Sequence, residues 1–290
     1  MRVDLLAGTA YTPAAMPAPA PTLLVFDSGL GGLTVFAEVA RARPDARYVY
    51  AADDAGFPYG RLSEEALVAR VLAVMDRLIG LYAPDLVVIA CNTASTLVLP
   101  HLRARFPIPF VGTVPAIKPA AALSRSGRIS VLATPGTVAR DYTRDLIESY
   151  AAGARVNLVG SRRLAGFAEA ELAGRPVADA EILAELAPCF TEGPDGRTDV
   201  IVLACTHYPL LLDRFRALAP WPVGWIDPAP AIARRVVQLI GGPAPGREPD
   251  EGEGALAVFT GAPAGDALAL ALGRRGLAAL TVEPMPLGQA

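Results

Sequence analysis

The chain reads as an α/β protein of two domains with mostly parallel sheets. Three observations predict this. Two segments nearly repeat each other, DLVVIACNT at 85–93 and DVIVLACTH at 199–207. Each sets four branched apolar residues between an Asp and an Ala-Cys pair, the pattern of a strand buried on both faces. Short apolar runs alternate with helical patterns along the chain, which favours parallel strands joined by crossover helices. Finally, 290 residues at 52% hydrophobic suffice for two cores, and the duplicated unit favours two domains over one.

Taken in order, residues 1–21 are rich in Ala and Pro and are expected to be a disordered extension; their apolar run is too short for a signal-peptide core. Leu23–Phe26 is a strand, and DSGLGG (27–32) is a Gly-rich turn before a helix opening at Leu33. Such a turn either gathers N–H groups for an anion or packs closely. Its glycine spacing does not fit a dinucleotide fingerprint. Arg47–Ala52 is a second strand, ending in a turn-rich loop (53–60) that is a surface turn or a substrate wall. Ser63 caps a helix with early acids that runs to about Leu81.

The first Cys strand comes next, then a helix from Ala94 to Phe106 carrying His101, read as structural because no ionisable group sits at matching spacing. Ile108–Val111 is a strand, and 112–115 cross into the second domain. There Arg128–Ala133 and Val156–Gly160 are strands. Helices are expected from about Thr137 to Tyr150, over Arg163–Ala173 and over Ala180–Phe190, the last holding Cys189 as a core residue. After the second Cys strand come a helix at Pro209–Leu218, a strand at Val223–Ile226 and a helix at Pro230–Ile240. A Gly/Pro/acid loop (241–254) precedes a closing strand, helix and strand. The expected division is 22–114 plus 225–290 for the first domain and 115–224 for the second.

Composition excludes some classes. The net charge of −3 comes with no basic stripe, so neither nucleic acid nor an anionic membrane is an expected partner. No apolar run reaches ~18 residues, so no span is expected. With no secretion signal the expected compartment is the cytoplasm, where Cys91, Cys189 and Cys205 are free thiols.

Two thiols at strand ends, where open α/β sheets place ligands, allow several chemistries. A disulfide does not suit a reducing compartment. Zinc on Cys91, Cys205 and His207 has unusual spacing. A Cys205 nucleophile with His207 as base leaves Cys91 idle. A pair of acid/base groups on opposite faces of one carbon uses both thiols and inverts a stereocentre. One thiol must then be charged and the other protonated, and a helix N-terminus after each strand favours the thiolate. His207 is placed to assist Cys205, and Asp27 could do so for Cys91. A pyridoxal-phosphate enzyme needs a Schiff-base lysine; Lys118, the only lysine, lacks a phosphate site in register.

FDSGLGGLTV (26–35), PYG (58–60), ACNTAS (90–95) and CTHYPL (205–210), with VPAIKPA (114–120) and TPGT (134–137), resemble the signature blocks of the bacterial glutamate racemase family, in its order. The resemblance runs from about Leu23 to Ile226. It implies two α/β domains related by a pseudo-two-fold axis, with the site between them. It also implies cofactor-independent interconversion of L- and D-glutamate for peptidoglycan precursors. Carried over, Cys91 and Cys205 are the acid/bases, with Asp27 and His207 in the catalytic set. Asp27, Ser28, Tyr59, Gly60, Asn92, Thr93, Thr206 and His207 hold substrate or tune the thiols. Thr134, Thr137 and Glu169, an acid near the second thiol, are further members. No metal and no cofactor is expected, and a homodimer is one assembly left open. Ala51 and Ala204 stand where the family commonly has Gly, and Asp54 where it often has Thr or Ser. An aspartate racemase with the same proton chemistry, and a binding protein that kept the fold without turnover, remain as alternatives.

Overall fold

The computed structural model describes residues 19–194, 196–243, 254–262 and 264–285. The Ala/Pro-rich stretch through residue 18 and most of the 241–254 loop lie outside them.

Among the described residues the strands are β1 Thr22–Asp27, β2 Arg47–Ala52, β3 Leu86–Ile89, β4 Phe110–Gly112, β5 Arg128–Ala133, β6 Arg155–Gly160, β7 Glu192–Gly193, β8 Gly196–Arg197, β9 Val200–Ala204, β10 Gly224–Ile226, β11 Leu256–Phe259 and β12 Ala279–Val282. The α-helices of the described residues are α1 Leu33–Ala42, α2 Glu64–Tyr82, α3 Asn92–Arg105, α4 Ile117–Leu123, α5 Pro135–Ala139, α6 Asp141–Ala151, α7 Leu164–Leu172, α8 Asp179–Leu186, α9 Leu212–Leu218, α10 Ala229–Ile240 and α11 Asp266–Gly273.

The strands form a six-stranded sheet in the order β12-β11-β2-β1-β3-β4, a four-stranded sheet in the order β10-β9-β5-β6, and a small β7-β8 hairpin. Every pairing within the two large sheets is parallel. The internal repeat extends to topology. The strands β1 to β4 lie in the spatial order second-first-third-fourth, and β5, β6, β9 and β10 repeat that order. β11 and β12 are added to the first sheet at its β2 edge.

Each large sheet is covered on both faces, which is why its strands read as near-continuous apolar runs. Tyr50, Val88 and Val236 belong to the core on one face of the first sheet, and Phe26, Ile89 and Leu78 to the core on the other. Leu203 and Phe215 lie on one face of the second sheet, and Val131 and Val202 on the other. The repeated Asp residues tie down the strand bases. Asp85 accepts the backbone N–H of Thr22 at 2.7 Å, and Asp199 accepts Ser124 Oγ and the N–H groups of Arg125 and Ser126 at 2.7–2.9 Å.

Several boundaries depart from the sequence reading. Gly224–Ile226 pairs with β9, so the chain returns to the first sheet only after Ile226, beyond the expected division at 224/225. Pro188 ends the helix expected through Phe190, leaving α8 and a tight turn that carries Cys189, which is fully buried. A tight turn at Tyr208–Leu211 precedes α9, so the second Cys strand does not run straight into a long helix. α3 begins at Asn92, which makes Cys91 its N-terminal flanking residue.

Candidate active site

The carboxyl ends of the two large sheets face each other, and the residues just past β1, β3, β5 and β9 meet there, as the rule for parallel sheets requires. Cys91 follows β3 and Cys205 follows β9, the same position in the repeated topology. Each is 6% exposed, so both thiols are withdrawn from bulk water.

Their surroundings differ. The Cys91 thiol donates to Ser28 Oγ at 3.9 Å. Burial first, and then the nearby charge of Asp27, push this thiol well above the usual cysteine range, and the charge of Cys205 adds to the effect. Cys205 Sγ lies 3.8 Å from His207 Nδ1, and His207 Nε2 lies 2.7 Å from Glu169 Oε1. Burial pulls the imidazole down. The hydrogen bonds to Cys205 and Glu169 and the charge of Asp27 outweigh it and hold His207 well above its ordinary value. The two half-sites thus offer a thiol with a hydroxyl neighbour on one side and a thiol–imidazole–carboxylate relay on the other.

The Gly-rich turn is a close-packing device. A Cβ on Gly29 would lie 2.3 Å from Glu169 Oε1, and one on Gly31 would lie 2.3 Å from His207 Nδ1 and 2.6 Å from the His207 backbone nitrogen. Its N–H groups serve internal partners: Leu30 donates to Glu169 Oε1 at 2.7 Å, Gly32 to Asp27 Oδ2 at 2.8 Å, and Gly31 points at His207 Nε2 from 3.2 Å. These contacts are those of the close-packing reading, with a carboxylate, Glu169, taking one of the turn's N–H groups. Thr34 Oγ1 adds a link to the Thr206 carbonyl at 3.2 Å, and the Phe57 ring sits 5.5 Å from that of His207.

A second contact between the units is built from hydroxyls. Thr93 Oγ1 lies 3.0 Å from Thr134 Oγ1 and 3.5 Å from Thr137 Oγ1, and these two lie 3.1 Å apart. Close to the thiols, buried polar atoms lack partners. Among the described residues Asp27 Oδ1 and the side-chain oxygen and nitrogen of Asn92 have none, although Asp27 is fully buried and Asn92 nearly so. Unsatisfied groups of this kind mark a place for a polar ligand or water. Burial raises the Asp27 carboxyl, while His207 and the N–H groups of Gly32 and Ser28 pull it back.

The family follows from comparison with known proteins. The family model for Asp/Glu/hydantoin racemases matches residues 28–236. This chain belongs to that family. It is 59% identical over 219 residues to a glutamate racemase of Brucella anthropi, covering 75% of this chain and 79% of that one. It is 56% identical over 239 residues to one of Agrobacterium fabrum, covering 82% and 87%. Among solved structures, Escherichia coli glutamate racemase in complex with L-glutamate and the activator UDP-MurNAc-Ala superposes with a TM-score of 0.83 at 39% identity, over 92% of this chain and 99% of that one. As a member of the Asp/Glu/hydantoin racemases, the chain carries its two thiols on matching strands of a duplicated sheet.

Most site residues named from the sequence converge here: Asp27, Ser28, Cys91, Asn92, Thr93, Cys205, Thr206 and His207 are all buried around the junction. Gly60 lies at its edge, 4.0 Å by its virtual Cβ from Thr134. Tyr59 is placed differently. Its hydroxyl donates to Asp53 Oδ2 at 2.5 Å, so that oxygen is engaged behind the site. Asp53 also accepts from Arg70 Nε at 2.9 Å and Thr260 Oγ1 at 2.5 Å, and Asp54 accepts the N–H groups of Thr260, Gly261 and Ala262. The Asp53-Asp54 pair is therefore an anchor between this loop and the end of β11, which neither reading of the loop anticipates. Two adjacent acids after an apolar strand were the available signal. His101 is exposed on α3. Among the described residues no group of three or more His, Cys, Asp or Glu side chains has metal-holding geometry, and no helix is long and apolar enough to cross a membrane.

Proposed function

We propose that this protein interconverts L- and D-glutamate by a two-base thiol mechanism, supplying D-glutamate for peptidoglycan precursors in the cytoplasm. The observation that carries the reading is the pair Cys91 and Cys205 at equivalent strand ends, beside the unpartnered polar atoms of Asp27 and Asn92. One thiolate removes the proton from the substrate α-carbon, leaving a carbanion. The opposite thiol gives its proton to the other face, so the stereocentre inverts and the two sulfurs exchange charge states. In the relay, an imidazolium on His207 faces Cys205 from Nδ1 and donates from Nε2 to Glu169, which stabilises a thiolate at Cys205. Asp27, beside Cys91, serves the other half-site. Asn92 and the Thr93, Thr134 and Thr137 hydroxyls supply donors and acceptors for the carboxylate and ammonium groups of the substrate.

The test is circular dichroism of L-glutamate, D-glutamate and L-aspartate incubated with the purified protein without added cofactor. Loss of optical activity with glutamate from both directions is expected, with solvent deuterium entering the α position. Cys91→Ala and Cys205→Ala should each abolish it. Full activity in either variant overturns the two-base assignment, and faster turnover of aspartate moves the substrate.

A further inference from the structure

We propose that Arg61 and Arg162, one from each unit, form a basic mouth that draws the anionic substrate into the catalytic cleft. The inference rests on the racemase reading above and names residues that nothing in that reading uses. Both line a cavity of about 150 Å³ together with Gly60, Thr134 and Ser161. Thr134 in that lining is half-buried, and its hydroxyl lies 3.0 Å from that of Thr93, two residues from Cys91. At the cavity's outer edge, Arg61 and Arg162 are exposed.

Charge pairing sets these two apart. The neighbouring arginines are committed: Arg140 pairs with Glu64, Arg163 with Glu181 and Arg70 with Asp53. Glu185 accepts from Ser161 Oγ at 2.6 Å. Among the described residues neither Arg61 nor Arg162 has an ion pair. Two unneutralised guanidiniums therefore flank an opening one threonine away from the site.

The alternative approach has the wrong sign. A larger recess between the units, of about 410 Å³, is lined by Asp54, Glu169 and Asp266 against the single cation Arg175. The protein as a whole carries a charge of −3 and repels an anion at long range. Glutamate, with two carboxylates and one ammonium, carries a net negative charge, and a local positive pair at a cleft mouth raises its concentration there. Such an effect is screened by salt because both groups are exposed.

The experiment compares wild type with Arg61→Gln, Arg162→Gln, the double Gln variant and the double Glu variant. KM and kcat are measured for both enantiomers at about 20 mM and about 300 mM salt, on either side of physiological screening. The expected result is unchanged kcat and a rise in KM at low salt of roughly ten-fold in the double Gln variant, the low end of focused-charge effects. The double Glu variant should rise further, and the salt dependence should flatten and then invert along the series. An unchanged KM, or a fall in kcat with the wild-type salt dependence, overturns the proposal. If wild type does not racemise glutamate, the racemase reading fails. The same series is then read by calorimetric titration of glutamate, where the same ordering of affinities supports the basic mouth and its absence overturns it.

Discussion

His207 Nε2 lies 2.7 Å from Glu169 Oε1, while Nδ1 of the same ring lies 3.8 Å from Cys205 Sγ. A single imidazole therefore connects a carboxylate on α7 to the thiol at the end of β9. The Gly31 N–H, 3.2 Å from Nε2, can engage that atom only when the ring has given up its proton there. Both the relay and its alternative partner depend on the two units being packed together at the Gly-rich turn.

Glu169→Gln tests the relay. The amide keeps an oxygen for the Leu30 N–H but removes the charge that helps hold His207 protonated. His207 sits well above its ordinary value, with the Glu169 hydrogen bond among the causes that outweigh burial. The imidazolium is present below that raised value and lost as pH climbs through it. Removing the carboxylate lowers the value, so the basic limb of the kcat/KM profile should move to lower pH. At the optimum a loss of roughly ten-fold is expected, comparable to one charge-assisted hydrogen bond of ~1.5 kcal/mol. A profile that stays in place would mean that Glu169 does not act through His207.

Gly31→Ala places a Cβ 2.3 Å from His207 Nδ1 and 2.6 Å from its backbone nitrogen. The backbone contact cannot be relieved by rotating a side chain, so the two units must separate locally. A displacement near 1 Å at a catalytic pair costs on the order of 100-fold in rate. Steady-state kinetics should show that loss in kcat, with a melting transition still present. Wild-type kcat would show that the turn yields more easily than the packing implies.

The α/β class, the parallel strands and the pair of Cys strands were legible because both sheets are covered on both faces and each strand is a short, unbroken apolar run. The thiols could be placed at strand ends for the same reason. The relay was only half legible. His207 is two residues from Cys205, but Glu169 reaches it from α7, 38 residues away; only the family resemblance pointed to that acid, because no local pattern encodes the packing. The PYG motif points Tyr59 at the substrate, yet its hydroxyl is spent on Asp53, whose other partners Arg70 and Thr260 come from distant segments. A helix N-terminus directly follows the Cys strand only at Cys91, because Pro209 lies in a tight turn that delays α9.

Asp27→Asn is expected to stabilise the protein while impairing it. The carboxylate is fully buried, its Oδ1 has no partner, and burial raises its protonation range. A carboxyl raised in the folded state opposes folding above that range, and this penalty fades as pH falls through it. The amide removes the charge and can still accept the Gly32 N–H. Near neutral pH the melting temperature should rise by about 2 °C, corresponding to ~1 kcal/mol. The gain should shrink on acidification, while racemisation falls. A lower melting temperature at neutral pH would show that His207 and the backbone donors more than offset the burial cost.

Asp53→Ala and Tyr59→Phe separate the anchor from the site. Asp53 is fully buried and satisfied by Arg70, Tyr59 and Thr260, and the Arg70 side chain is itself only 9% exposed. Removing the carboxylate takes its charge-assisted hydrogen bonds from the Arg70 guanidinium, which costs about 2 kcal/mol. Chemical denaturation should show that loss. Tyr59→Phe removes one hydrogen bond to Asp53 and should cost about 1 kcal/mol. Because the hydroxyl faces Asp53, KM for glutamate should stay within about two-fold, the signature of a group that adds no substrate binding. A large rise in KM with stability unchanged would instead move the Tyr59 hydroxyl into the substrate cleft.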